Sequence, residues 1–315
     1  MKVVRGIRAI PAIAPGSVVT VGVFDGVHIG HRKVIGEVVR RARRLGLASV
    51  VVTFDPHPSK LLRPSSAVPS IISLEHRIRL IRELGVDILV IVRFTGAFSR
   101  IGPAAFIRTI VAGRLSAREI VVSEKFYFGK GAGAGVGELR KIAAACGIRV
   151  RVVPPAKAFG AVAGSRLVRR LILAGDIRRA ARLIGRPVSV LGTVVSGSRF
   201  GRVLGYPTAN INPHHEVVPP SGVYAVTVRL GGRLFGGLLN IGTRPTFFSP
   251  RDSEPQIEAH IFGFSGTIYG RDIEVHFIRK IRDEVKFNNR QDLVARIGRD
   301  AKAARRILKS EKALQ

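Results

Sequence analysis

The period of the hydrophobic pattern changes near residue 186, and no other feature constrains the fold as much. Upstream, apolar β-branched runs at 17–23, 48–54, 87–92, 119–122 and 148–153 read as buried parallel strands. Helical patterns lie between them. One covers 31–45 and stops at Gly46. Another opens at Ser73, a plausible N-cap residue type, and stops at Gly85, with Leu74, Ile78, Ile81 and Leu84 on one face. This alternation predicts a Rossmann-like α/β half, an open parallel sheet with helices on both sides. Downstream the helical patterns vanish. Runs at 222–230 and 233–240 flank Gly231-Gly232, a hairpin signal, and 256–262 and 272–278 follow in the same style. Short strands so spaced predict a closed or nearly closed β-barrel, followed by a helix over 290–308. The expected domains are 1–185 and 186–315, meeting at Gly185-Arg186-Pro187.

Composition excludes several classes. No apolar run approaches the roughly 18 residues of a membrane span, so no membrane partner is expected. The N-terminus is interrupted by Pro11 and Pro15 and does not read as a signal peptide. Cys146 is the sole cysteine, which excludes an intramolecular disulfide and a cysteine-based zinc site, and a reducing cytoplasm fits. Lys plus Arg number 52 against 21 acidic residues, a net charge of +31. That surplus attracts polyanions without specifying one. The basic residues are scattered and lack an aromatic RNA-reading pattern, so no specific nucleic-acid partner is expected.

Two stretches carry chemistry. In VGVFDGVHIGH (21–31) a strand ends at Phe24-Asp25-Gly26 and a helix begins near His28 or Gly30. Ligands of open α/β sheets sit beyond the carboxyl ends of the strands, and free N–H groups at a helix start seat phosphate. His28 and His31 add donors there, and Gly30 keeps the backbone open between them. The glycine-rich run 129–137 lacks a P-loop ending and reads as a flexible loop.

The second stretch is GTVVSGSRFGRVLGYPTAN (192–210). Gly197, Gly201 and Gly205 make a mobile loop able to bring N–H groups against phosphates. Thr208 and Asn210 offer hard oxygen ligands suited to Mg²⁺. Glu258, in the strand QIEAHIF, is the candidate general base; His260, two residues on, either orients it or packs.

GVFDGVHIGH resembles the HxGH signature of the nucleotidyltransferase superfamily. More narrowly, it is similar to the adenylyltransferase half of the bacterial bifunctional riboflavin kinase/FAD synthetase family, as are VVTFDPHP (51–58) and FTGAFSRIGPAAFI (94–107). The resemblance implies that His28 and His31 stabilise the ATP phosphates during adenylyl transfer. It places Gly22, Phe24, Asp25, Gly30, Ser165 and Arg166 around the nucleotide. The flavin phosphate attacks the α-phosphorus, pyrophosphate leaves, and no covalent intermediate forms. Three departures stand out. Val23 replaces the family's usual asparagine, the 129–137 run lacks an Arg-x-Gly-Asp segment, and Val168 takes the arginine place of a Ser-Ser-Thr-x-Ile-Arg element.

Residues 186–308 resemble the riboflavin kinase domain, including GLLNIGTRPTFF (237–248), IYGRDIEVHF (268–277) and IRDEVKF (281–287). That likeness implies a six-stranded barrel in which ATP and riboflavin meet. Thr208 and Asn210 belong to the Mg²⁺–ATP element with Gly197 and Gly201, Glu258 activates the ribityl 5′-hydroxyl, and Arg282 and Phe287 cover the flavin. Gly263 stands where an aspartate often follows. The chain is therefore expected to convert riboflavin and ATP to FMN, then FMN and ATP to FAD, with Mg²⁺ serving both steps. A kinase with a degenerate adenylyltransferase domain is the alternative, and a basic RNA-associated protein a remoter one.

Overall fold

The computed structural model describes residues 1–197, 201, 204–214, 217–243, 255–287 and 289–312. Residues 244–248 of the matched stretch 237–248, and 198–200 and 202–203 of the glycine loop, lie outside them. Contacts divide the chain into two units, Met1–Ser70 with Leu74–Gly164, and Ile71–Ser73 with Ser165–Gln315.

In the first unit, β1 (Lys2–Arg5), β2 (Ser17–Val21), β3 (Ala48–Asp55), β4 (Ile88–Arg93), β5 (Ala117–Ser123) and β6 (Arg149–Val153) form one parallel sheet in the order β1-β4-β3-β2-β5-β6. The α/β expectation holds, with one strand more than the pattern showed. β1 is only four residues long and half polar, too short for periodicity to reveal. Every residue of β2 is buried, as befits a central strand covered on both faces. The chain order reverses between β2 and β5, so the carboxyl end of β2 lies at the switch point of the sheet.

The helix after β2 is α1 (Ile29–Leu45), ended by Gly46 in the left-handed region at φ 65°. Val34, Val38 and Ala42 recur every four residues and pack on Val18, Val121 and Val153 of the sheet. Burying each valine contributes about 1.5–3 kcal/mol before the entropy of ordering it. The helices α2 (Leu74–Glu83) and α3 (Val136–Ala144) complete the framework used below.

The second unit begins with α4 (Ser165–Leu173) and α5 (Ile177–Ile184), placed by sequence in the first domain. The two helices pack on each other, and α5 also packs on strands of the barrel that follows. Its buried Ile177, Ala180, Leu183 and Ile184 supply the apolar face.

The barrel comprises β9 (Val188–Val195), β10 (Ala209–Pro213), β11 (Gly222–Leu230), β12 (Arg233–Thr243), β13 (Pro255–Ile261) and β14 (Asp272–Arg282). The intervening β7 (Lys157–Ala158) and β8 (Ala161–Val162) are a small separate hairpin of the first unit. The six strands close antiparallel in the order β10-β13-β12-β11-β14-β9. Gly231 and Gly232 make the expected two-residue turn, with φ 54° and 82° and Leu230 opposite Arg233. The last helix, α6 (Arg290–Lys312), lays Ala301, Ala304 and Leu308 on Val223, Ala225, Leu238 and Phe262.

Candidate active sites

In the first unit the turn from β2 to α1 is unusual. Phe24 and Val27 have φ of 52° and 39° on either side of Gly26 at 79°. A β-branched residue in that region is strained, and the surrounding packing must hold it there. Phe24, Asp25 and Val27 are accordingly buried. The Phe24 ring meets the His31 ring edge-on at 5.2 Å, so it supports the imidazole from behind.

His28 is the N-cap of α1. Its Nδ1 accepts from the Gly30 and His31 amides at 3.1 and 3.4 Å. An accepting Nδ1 carries no proton, which puts the ring hydrogen on Nε2. The His28 and His31 rings stack at 3.6 Å. Burial, then the neighbouring His28 and Arg77, hold His31 well below the usual histidine range, so the His31 ring is neutral near pH 7. A Cβ at Gly30 would lie 3.0 Å from His28 Cε1 and would press on the capping ring.

Arg77 of α2 is buried behind the turn. Its Nη1 donates to Phe54 O at 3.1 Å and Thr53 Oγ1 at 3.3 Å, and the Thr53 hydroxyl donates to Val23 O at 3.0 Å. Burial lowers the guanidinium pKa, while Asp25, Asp55 and Glu75 oppose that shift. One cation thus ties the carboxyl ends of β2 and β3 to α2, an anchor the sequence pattern did not reveal.

Beside the turn lies an apolar cavity of about 270 Å³. Gly22 and Val23 form one wall, and Phe54, Phe94, Phe98, Phe106, Phe126 and Phe128 line the rest. Gly129 and Gly131 lie on its rim. The run 129–137 begins in a turn closed by the Phe128–Ala134 bridge and ends in the first residues of α3. A Cβ at Gly129 would come within 2.6 Å of Pro103 Cγ, so the glycine is required by close approach as well as by its φ of 76°.

Ser165 and Arg166 open α4, with Arg166 exposed. Val168, read from sequence as standing in the arginine place, is fully buried. Arg169 beside it is also buried, 9% exposed, and engaged with polar or charged neighbours.

In the barrel, strand register gathers the second set of residues. Asn210 of β10 pairs with Glu258 of β13, Glu258 with Asn240 of β12, Asn240 with Val223 of β11, and Val223 with Arg282 of β14. Residues distant in sequence thus form one row across five of the six strands. A cavity of about 320 Å³ opens on this face, lined by Thr208, Asn240, Glu258, Arg282, Glu284 and Phe287 among others. Ala259 and Ile261 alternate with Glu258 and His260 to the opposite face, where they line a second cavity of about 320 Å³ with Val194, Ala209 and Thr267. Thr208 borders both cavities.

Glu258 is half-buried. Desolvation raises its pKa above the ordinary carboxylate value, and hydrogen bonds from Thr208 and Gln256 partly reverse the shift. His260 is occupied elsewhere: its Nδ1 contacts Pro207 O at 2.9 Å and its ring meets Tyr206 edge-on. It braces the loop before Thr208 and does not orient Glu258. The loop glycines make close approaches. A Cβ at Gly201 would fall 2.5 Å from Tyr206 O and 3.0 Å from Thr208 Oγ1; at Gly197 it would fall 2.0 Å from Asn210 Nδ2. Arg282 binds buried Asp300 of α6 through Nε and Nη2, at 2.9 and 2.8 Å, and lies 5.9 Å from the Phe287 ring centre. Asp300 and Gln256 escaped sequence reasoning because neither sits in a pattern that marks it.

A divalent cation would find two neutral oxygens here, the Thr208 hydroxyl and the Asn210 carboxamide. Among the described residues no group of three His, Cys, Asp or Glu could hold a metal. That donor set fits Mg²⁺ arriving with a nucleotide, which keeps its phosphate and water ligands, and does not fit a chelated transition metal. No helix among the described residues is long and apolar enough to cross a membrane.

The FAD synthetase family model matches residues 10–166 and the riboflavin kinase model residues 184–308. A bifunctional riboflavin kinase/FMN adenylyltransferase of Bacillus subtilis is 35% identical over 91% of this chain and 91% of its own length. The Escherichia coli K12 protein of the same name is 34% identical over 97% of each chain. A crystal structure described as a macrolide-efflux protein from Streptococcus pneumoniae superposes with a TM-score of 0.86 at 29% identity, covering 97% of this chain and 99% of that one. The chain belongs to the bifunctional riboflavin kinase/FMN adenylyltransferase family.

Proposed function

We propose that this chain phosphorylates riboflavin to FMN in the barrel and adenylylates FMN to FAD at the β2–α1 turn, releasing ADP and then pyrophosphate. The observation that carries the reading is Thr208, which borders two cavities on opposite faces of the same strands and hydrogen-bonds the Glu258 carboxylate. ATP occupies the cavity of Ala259 and Thr267; riboflavin occupies the cavity beneath α6, under Arg282 and Phe287. Glu258 takes the proton of the ribityl 5′-hydroxyl as its oxygen bonds the γ-phosphorus and ADP departs. The raised pKa strengthens Glu258 as a base. Mg²⁺, held through Thr208 and Asn210 and the nucleotide phosphates, would offset the charge of the transferring group.

At the first site the amides opening α1 and the Nε2 hydrogen of His28 face the ATP phosphates. The isoalloxazine of FMN fits the cavity of six phenylalanines, where stacking and apolar burial suit a planar heteroaromatic ring. With the family's Ser-Ser-Thr-x-Ile-Arg element moved by one residue, its apolar position falls on Val168, its arginine on Arg169 and a hydroxyl on Ser165. Arg169 then stands in the arginine place of that element, one residue after Val168. This reading, the intact His28/His31 string and the aromatic cavity together weigh against a kinase-only chain.

Purified protein incubated with riboflavin, ATP and Mg²⁺ should yield FMN and then FAD on chromatography. FMN alone would support the kinase-only alternative. Neither product would overturn both activities.

A further inference from the structure

Gln256 belongs to no motif. It precedes Glu258 by two residues and so shares its face of β13. Its Nε2 lies 2.7 Å from Glu258 Oε1 and 3.2 Å from Asn210 Oδ1. A carboxamide nitrogen carries two hydrogens, so both bonds form at once. The residue opposite it on β12 is Gly242, which brings no side chain into this space. The other charged and titratable groups around the cavity are committed differently. His260 contacts Pro207 O, Arg282 is paired with Asp300, and Glu284 reaches toward Gly242.

We infer that Gln256 is a positioning residue of the phosphoryl-transfer site, fixing the Asn210 carboxamide and the Glu258 carboxylate in one array. The inference rests on the kinase reading of the barrel. Asn210 has two ways to face its surroundings, and a flipped carboxamide would present N–H donors where a cation needs an oxygen. Gln256 selects the correct orientation, because only Oδ1 accepts from its amide. Nδ2 is left against the Gly197 backbone, where a Cβ would lie 2.0 Å away. The same amide restrains the carboxylate of Glu258 at Oε1. Base and carboxamide are thereby set relative to each other by one side chain, in addition to the strand pairing that places their backbones.

The test uses the full chain with Gln256→Met, which removes the donors at similar length, and Gln256→Glu, which replaces them with a second carboxylate. The kcat of FMN formation should fall about ten- to a hundred-fold, as expected for hydrogen bonds to charged groups. KM for riboflavin should stay within roughly twofold, because the flavin pocket is untouched. Calorimetric titration with ADP, with and without Mg²⁺, gives a readout independent of turnover: the gain in affinity that Mg²⁺ confers should shrink, and Mg²⁺-free binding should persist. FAD formation from supplied FMN should be unchanged in both variants. The inference is overturned if both variants keep kcat within roughly twofold. It is equally overturned if FAD formation or Mg²⁺-free ADP binding falls in step, which marks a merely structural role. If the parent protein makes no FMN, the kinase reading fails separately, and the Mg²⁺ dependence of ADP binding still reads the role of Gln256.

Discussion

Gly197→Ala isolates geometry from chemistry. The new Cβ would sit 2.0 Å from Asn210 Nδ2 and 2.5 Å from its Cγ. Ordinary non-bonded contact needs about 3.5 Å, so the carboxamide must retreat by roughly 1.5 Å. Gly197 is not among the glycines with positive φ, so alanine is compatible with its backbone. The obstructing atoms are the end of a side chain that can rotate away, and stability should fall by only about 1 kcal/mol or less. Catalysis has no such freedom. A misplacement of about 1 Å costs on the order of a hundredfold in a positioned reaction, about 2.7 kcal/mol of transition-state stabilisation. Steady-state FMN formation would report the loss, with thermal melting as the control. A variant that melts like the parent and also keeps its kcat would refute the placement of Asn210 in the reacting array.

Other expectations address each site separately. Glu258→Gln should abolish FMN formation and leave conversion of supplied FMN to FAD intact; FMN produced at the parental rate would remove Glu258 as the base. Replacing His28 and His31 together by Ala should eliminate FAD synthesis and spare the kinase, and losing the His28 cap should cost α1 about 1 kcal/mol, seen as a lower melting temperature. His31 also couples stability to pH. Its folded pKa lies below its unfolded value, so its contribution is complete above about pH 6.5 and is lost as pH falls toward the folded pKa. Denaturant titrations between neutral and mildly acidic pH should show less of that loss in His31→Gln; an identical slope in both proteins would contradict the burial argument.

The legible parts of the molecule were those written in periodicity. Central strands such as β2 and β3 announce themselves because both faces are buried. The hairpin at Gly231-Gly232 follows from glycine's access to positive φ. Asn210, Glu258 and Arg282 were recognisable one at a time, but their common row depends on barrel register, which no local pattern encodes. The aromatic cavity was hidden for a similar reason: Phe54 lies near the end of β3, Phe98 in the short helix Gly96–Ser99 after β4, and Phe128 in the loop after β5. At the opening of α4, one residue of helical phase separates apolar Val168, which stands in the arginine place by sequence, from buried Arg169.

The two sites are built from different materials, and that difference bears on which substitutions each can absorb. In the barrel, the proposed working groups are side chains on paired strands, where Asn210, Glu258 and Gln256 occupy fixed positions relative to one another. Removing any of them removes a specific donor or acceptor. At the β2–α1 turn, much of the proposed phosphate seat is main chain: the amides at the start of α1, the strained conformation of Phe24 and Val27, and a histidine whose Nδ1 is spent on capping. Val23 contributes its carbonyl to Thr53, which any residue type supplies equally. Departures at Val23 and in the 129–137 run therefore leave that seat standing, whereas exchanges at His28, Gly30 or Gly26 act directly on the backbone that forms it.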